Sequence, residues 1–430
     1  MTTQPSHNDS ILIVGAGVFG LSTALELKQR GFLNVTVIDR MLPPVPDGSS
    51  CDVSRIIRYD YTDPFYAKMA REAVGVWKSS KLYKPYYHPA GYVLCSETQH
   101  NEFLDQAREV MRKQNQPYSN FRNIQELHEI MPSLKDIDYP FTGYVNQNGG
   151  WANAAGAIGA LAARCSELGV NFICGKAGTM TSLKIGPDNR IQGVNVVSGG
   201  PLQASRVILA TGAWTNRYTN LDHAITSSAQ PIGFIQLTKE EAEYYKERPV
   251  VDNFTTGVYI FPPTPDTHLL KIARDGHGFV NQVRIHDRVF ASPAQDTNNA
   301  LPSYFPQDAD QALRHGLRQF MPGIAERPWS RRRLCWYTET PKGDFIVDNH
   351  DSIDGLFIAT GGSGHGFKFL PIIGTYIADC FEGKAPSELR ERWELTPAKQ
   401  VDGPMACNDG SRGGPSCRQL SDDELFQAQL

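Results

Sequence analysis

Cys335 stands in RRRLCWYTETPKGDFIVD (residues 331–348), between three arginines and a Trp-Tyr pair. A thiol there is either a small buried hydrophobe, since free cysteines are among the most buried residue types, or a group that reacts. As a thiolate it is a nucleophile, and neighbouring guanidinium groups favour that form. A second chemically loaded stretch is GAGVFG, which sets Gly15, Gly17 and Gly20 in G-x-G-x-x-G register. Gly15 permits the tight turn, Gly17 lets the backbone approach a pyrophosphate, and Gly20 lets a helix pack against a strand. Val18 and Phe19 open that helix, whose free N–H groups and positive dipole end suit phosphate. Asp39 lies 19 positions after Gly20 and is followed by Arg40. An acid there accepts from an unphosphorylated ribose 2′-hydroxyl, which favours NAD or FAD over NADP.

The elements that must position these residues are readable. ILIV before the glycines is a short continuous apolar run, as a strand buried on both faces would be. LSTALELKQRG has helical spacing and a glycine stop, and NVTVID is a second strand ending on Asp39. RVILATGAWT (206–215) and GLFIATGGSGHGFKFLPIIGTYIADCFEG (355–383) repeat the theme of strand, glycine turn and helix. Units near the start, middle and end imply a nucleotide-binding domain assembled from residues 8–90, 147–222 and 330–390. Residues 91–146 and 223–329 would build a second domain over it, with strands such as GVYIFPP and HLLKIAR and the helical QALRHGLRQFM. The predicted class is α/β: a Rossmann-like domain interleaved with a mixed or antiparallel sheet domain. NAD dehydrogenases usually keep the nucleotide domain as one block, so the interleaving makes FAD the better reading.

Bulk composition narrows the field. At 430 residues the chain is long for one core. A net charge of −4 suggests neither a nucleic-acid glove nor a polybasic membrane surface. The eight cysteines are scattered without a CxxC pair, no metal site is expected, and no apolar run reaches the ~18 residues of a membrane span. MTTQPSHNDS is polar and leads straight into a strand, so no secretory signal is expected and an intracellular, reducing compartment is favoured. The final AQL resembles the small–basic–Leu peroxisomal address with Gln429 in the basic place, leaving cytoplasm and peroxisome open. Residues 400–430, rich in Gly, Ser and Asp, are expected to form a flexible tail.

From residue 10 to about 390 the chain resembles the monomeric sarcosine oxidase family, which also holds fructosyl amino acid oxidases, saccharopine oxidases and pipecolate oxidases. The carriers are GAGVFG, DVSRIIRYDY (52–61), KPYYHPAGY (84–92), GGWANAAGAI (149–158), VILATGAW, LCWYTETPKGDFIVD and GGSGHGFKFLP, in that order. The resemblance implies FAD joined through an 8α-S-cysteinyl bond to Cys335, with Ser54, Arg55, Gly366, Phe367 and Lys368 also at the cofactor. It implies two-electron oxidation of a C–N bond, hydrolysis of the imine, and return of the electrons to oxygen as hydrogen peroxide. Arg58 and Lys368 match the family's carboxylate-binding positions; an arginine fork and a lysine point charge together would pin an α-carboxylate. The alternatives are a surface salt bridge from Arg58 to Asp60 or Asp63, and a solvated loop lysine. Arg55 matches a position next to the flavin ring, and Lys271 the lysine assigned to oxygen activation, against the alternative of a strand lysine facing water. His365 is either a residue behind the site or a plain structural histidine.

Departures limit the substrate. Cys51 stands where bacterial sarcosine oxidases carry histidine, and RYDY places Tyr59 and Asp60 near the substrate mouth. The expected substrate is a carboxylate-bearing secondary amine, such as saccharopine, an N-methyl amino acid, a fructosyl amino acid or pipecolate. The expected partners are this small molecule and O2, with a monomeric enzyme. Rival readings are a biosynthetic oxidase whose imine is trapped by ring closure, a dehydrogenase serving a protein acceptor, a flavin-binding regulator, and an NAD-only enzyme.

Overall fold

The computed structural model describes residues 4–221, 223–285, 287–293, 304–396 and 410–427. β1 (Ser10–Val14), α1 (Val18–Gln29) and β2 (Asn34–Asp39) form the predicted unit, with β1 and β2 parallel from Ser10↔Asn34 to Val14↔Ile38. Every residue of β1 after Ser10 is buried, as covering on both faces requires. β1 lies within a six-stranded sheet ordered Ile346–Asn349, Leu356–Thr360, Arg206–Leu209, β1, β2, Asn171–Cys174. All neighbours are parallel except the edge pair Ile346–Asn349 and Leu356–Thr360. The chain winds outward from β1 through β2 and later returns to Arg206–Leu209 on the other side. In such sheets the crevice beyond the carboxyl ends of these strands is where ligands bind.

A second sheet has ten strands. Its spine is Thr226–Gln236, buried at every position but the last, with Leu269–Arg274 along one edge and Arg331–Glu339 along the other. It is mixed: Val250–Asn253 runs parallel to Tyr92–Ser96, whereas Val258–Ile260 and Leu269–Arg274 pair antiparallel. The α/β class with a mixed second sheet is therefore the fold. Arg331–Glu339, inside the 330–390 span given to the nucleotide-binding domain, pairs with the second sheet. A strand buried over most of its length can pair with either sheet, and its residue pattern does not name the partner.

The arm carrying the candidate residues is fixed at both ends. β3 (Arg55–Ile57) pairs with Gly150–Ala152, which also takes Tyr87–His88. α2 (Pro64–Ser79) begins with proline in its first turn, and Asp63 caps it by accepting from the Phe65 N–H at 2.8 Å.

The expectation of a flexible tail does not hold for residues 410–427. Arg418–Gln419 extends the second sheet beside Phe279–Val280, Leu420 is buried, and Arg418 forks between Asp308 and Glu424. The small residues that suggested looseness allow close backbone approach: the Gly414 N–H donates to the Thr255 carbonyl at 3.2 Å. Residues 400–409 and the AQL at 428–430 lie outside the described residues. Among those described, no helix is long and apolar enough to cross a membrane.

Candidate active site

At the crevice lies an open cavity of ≈ 1290 Å³ including its solvent mouth. Its walls are the β1–α1 turn, Ser49 and Ser50, Arg55, Trp336–Thr338, the 362–368 loop, and a pocket end with Arg58, Tyr61 and Asp252. Its lining runs from Gly17, Val18 and Phe19 at the glycine turn to Arg58 and Lys368 at the other end. Gly15 has φ +113°, and a Cβ on it would lie 2.4 Å from the Ala210 carbonyl oxygen; one on Gly20 would lie 1.9 Å from that of Gly15. The Val18 N–H, at the start of α1, donates to Ser50 Oγ at 3.0 Å. Asp39 closes the turn from below, accepting from the Ala16 N–H at 2.7 Å and the Arg40 N–H at 2.6 Å. Burial pushes its carboxyl up, and these two donors oppose the shift. Arg40 pairs with Asp47 and stands 5.6 Å from the Trp214 ring.

Behind the wall is a cluster of buried charge. Lys271, 1 % exposed, donates to the Ser54 carbonyl at 2.7 Å and pairs with Asp52 at 2.8 Å. It is no strand lysine facing water. Burial pushes its ammonium down to about 7, against the pull of Asp52. Arg55 lines the cavity, pairs with Asp52, and donates to the Ser49 carbonyl at 2.8 Å and to Cys335 Sγ at 3.4 Å. Cys335 is buried beside the lining residues Trp336 and Tyr337. Of the three arginines before it, Arg333 turns inward to Asp52 at 3.3 Å, Arg331 lies over Phe234 and Arg332 over Phe305. The guanidinium touching the thiol therefore belongs to Arg55.

A second pair of cations meets at the substrate end. Arg58 is 8 % exposed, with its guanidinium carbon 5.1 Å from the Tyr61 ring centroid and 5.8 Å from that of Tyr92. The alternative of a surface salt bridge does not hold: Arg58 donates to the Asp60 main-chain carbonyl, the Asp60 carboxylate accepts from Asn146 at 2.8 Å, and Asp63 pairs with Arg392. Lys368 is also buried, 5.1 Å from the same Tyr61 ring, and donates to Tyr61 Oη at 2.8 Å. His365 Nε2 lies 2.8 Å from the Gly343 carbonyl and Nδ1 lies 2.9 Å from Tyr61 Oη. A carbonyl only accepts, so Nε2 carries the hydrogen and Nδ1 accepts from Tyr61. Burial and the adjacent Lys368 hold the imidazole down to about 3, hence neutral. His365 is a support for Lys368 through Tyr61.

Tyr59 and Asp60, read from sequence as substrate contacts, are buried and do not line the cavity; Tyr61 does. Asp52 was missed because an acid in DVSR looks unremarkable until its partners arrive from distant strands. Asp252 also lines the cavity, accepting from Tyr92 Oη at 2.6 Å, and burial pushes its carboxyl up to about 6. Arg412 enters from the supposed tail: it lines the cavity, pairs with Asp275 and with Glu339 at 3.2 Å, and donates to the Ser363 carbonyl at 2.8 Å. Burial lowers it to about 10.

A glycine cradle at a helix start, a long cavity, and cations placed along it form the kind of site that flavin oxidoreductases use. Comparison with known proteins agrees: residues 10–380 match the FAD dependent oxidoreductase (DAO) family, and the chain belongs to it, within the monomeric sarcosine oxidase-like amine oxidases. L-saccharopine oxidase of Schizosaccharomyces pombe is 33 % identical over 407 residues, covering 89 % of this chain and 92 % of its own. Monomeric sarcosine oxidase of a Bacillus species is 25 % identical over 402 residues, covering 89 % and 95 %. The crystal structure of Amadoriase I from Aspergillus fumigatus, a fructosyl amine:oxygen oxidoreductase, superposes with TM-score 0.87 at 27 % identity, covering 99 % and 98 %. The residues present fit FAD: Gly15 and Gly20 admit no side chain in the cradle, Gly17, Val18 and Phe19 at the helix start line the cavity, and Arg55 adds a cation to its wall.

Proposed function

We propose that this FAD-dependent amine oxidase acts on a secondary amine bearing a carboxylate, an N-substituted or cyclic amino acid, and passes the electrons to O2. The observation that carries this reading is the pair Arg58 and Lys368, two buried cations sharing one Tyr61 ring in the wall of the cavity. A carboxylate held by both is fixed in position and rotation, which is where most of the catalytic gain of such anchors lies. Tyr61 and His365 keep Lys368 in place, and the tautomer set by Gly343 lets His365 only accept from Tyr61. FAD bound in the cavity supplies the two-electron acceptor for the substrate C–H and the route to O2, yielding hydrogen peroxide. Arg55 and Lys271 place positive charge along the cofactor wall, where charge developing on reduction is stabilised by preorganised groups. Cys335, with the Arg55 guanidinium at its sulfur, is proposed to hold FAD by a thioether to the 8α carbon.

Relatives named for saccharopine, sarcosine and N-methyl-L-tryptophan support the substrate class. Relatives named as peroxisomal sarcosine oxidases make the peroxisome a candidate location beside the cytoplasm; a monomer is the simplest assembly. The test is the absorbance of acid-precipitated, proteolysed protein, followed by anaerobic titration with N-substituted amino acids and an oxygen-uptake assay. Yellow peptide, bleached by such an amine and recoloured by O2, is expected. A colourless protein, or bleaching only by amines without a carboxylate, overturns the proposal.

A further inference from the structure

Asp52 is the hub of the buried charge behind the cavity. Its side chain is fully buried, and Oδ2 alone meets Lys271 Nζ at 2.8 Å, Arg333 at 3.3 Å and Arg55. Its other oxygen accepts from the Val53 N–H at 2.8 Å. The three cations come from three places: β3, the Leu269–Arg274 strand and the Arg331–Glu339 strand. Each has further contacts that fix it. Lys271 donates to the Ser54 carbonyl and lies 4.7 Å from the Phe261 ring; Arg333 donates to the Cys51 carbonyl at 2.8 Å and the Pro46 carbonyl at 3.1 Å. The other charged or titratable groups facing the cluster are Arg331, Cys51, Cys335, Tyr259 and Tyr337. Burial raises Cys51, Tyr259 and Tyr337, so these three stay uncharged at neutral pH. One carboxylate thus contacts three cations, with Arg331 a fourth positive charge farther off.

We infer that Asp52 is a positioning residue for the oxygen half-reaction: it keeps Lys271 charged and holds Arg55 against Cys335. The inference rests on the roles proposed above for Lys271 and Arg55. Its logic is charge accounting in a closed space. If the carboxylate is removed, two guanidinium groups remain, and neither can give up a proton. Lys271 is the only cation of the three that can shed charge, so it becomes neutral. Burial has already brought it to about 7 with Asp52 present. A lysine that accelerates reoxidation as a cation makes that step slow down as pH rises through its titration. Without Asp52 the same fall comes at lower pH. The carboxylate anchor is spared, because other groups hold it: the Asp60 carbonyl for Arg58, and Tyr61 Oη and the His365 carbonyl for Lys368.

The test uses holoenzyme and stopped flow to separate reduction by substrate from reoxidation by O2, across pH 5.5–9, in wild type, Asp52→Asn, Lys271→Met and the double variant. In Asp52→Asn the reoxidation profile is expected to shift down by about one pH unit or more, as loss of a contacting opposite charge does. Reoxidation above neutral pH falls toward the Lys271→Met rate, and the double variant is no slower than Lys271→Met. Substrate affinity in the reductive step changes by less than ~3-fold, consistent with independent sites. The fraction of flavin retained by acid-precipitated Asp52→Asn, an activity-free readout of the Arg55–Cys335 contact, is expected to drop. If Lys271→Met reoxidises slowly while Asp52→Asn keeps the wild-type profile and flavin retention, the inference is overturned and the function proposed above stands. A colourless wild type overturns that function and this inference with it. Should Asp52→Asn not fold, Asp52→Glu displaces the charge by one methylene; a shifted reoxidation profile supports the inference and a superimposable one refutes it.

Discussion

Replacing Arg58 by alanine tests the anchor on which the substrate reading depends. The guanidinium is 8 % exposed, sits among the rings of Tyr61, Tyr92 and Phe103, and donates to the Asp60 main-chain carbonyl. A substrate carboxylate paired there is desolvated on both sides, so truncation leaves a buried anion short of a partner. Such losses run to about 2–5 kcal/mol, and the depth of Arg58 places it in the upper half, about 3–5 kcal/mol. At 1.4 kcal/mol per decade this is a ~10²- to ~10³-fold or greater weakening. Lys368 remains, so binding is weakened but not abolished. The assay is anaerobic titration of the flavin absorbance with two amines, an N-methyl amino acid and the matching N-methyl amine without the carboxylate. Arg58→Ala is expected to weaken the first and leave the second within a few-fold; Arg58→Lys falls between, keeping charge but not the fork. Equal loss for both amines would mean that Arg58 shapes the pocket and does not read the carboxylate, and the reasoning would be refuted.

Cys335→Ala is expected to release yellow flavin into the supernatant on acid precipitation; flavin retained by the variant protein removes the proposed thioether. Lys271→Met should slow reoxidation by O2 far more than reduction by substrate, measured as separate half-reactions, and equal slowing denies it the oxygen role. Asp252 has its folded carboxyl pushed up to about 6 from the ordinary 3.8, so the folded state binds the extra proton between these values. It therefore costs stability progressively from about pH 4 to 6, and fully above, by up to about 3 kcal/mol. The Tm advantage of Asp252→Asn over wild type is expected to grow from pH 4.5 to 7, and a pH-independent difference contradicts the shift. Arg412→Met takes the buried guanidinium away from Glu339, 1 % exposed, which keeps the Ser228 hydroxyl as a donor. It should cost about 3–5 kcal/mol in denaturant unfolding; a loss under ~1 kcal/mol denies the contact its structural weight.

How much of this was legible in the sequence depends on the range of the interaction. The turn carrying Gly15, Gly17 and Gly20 and its acid Asp39 are local, and the strand, turn and helix around them set their geometry within 30 residues. Arg58 and Lys368 were legible only through family resemblance, since nothing in IIRYDY or GHGFK says that the two loops meet at Tyr61. Which arginine of the 331–333 run turns toward Asp52 was undecidable until the strand's partner was known. Asp52 and Arg412 were illegible for opposite reasons. The first has ordinary neighbours and extraordinary distant partners, and the second sits in a composition that reads as unstructured yet fills the space left by close-packed glycine backbone.

The reach of Arg412 also bears on how the protein is made. The cavity's wall begins at Gly17 and is completed only at Ser411 and Arg412. Domains are synthesised amino end first, at ~5–20 residues per second. Ser411 and Arg412 are therefore the last of the lining residues to be made, and the wall of the cavity cannot be complete until synthesis is nearly finished.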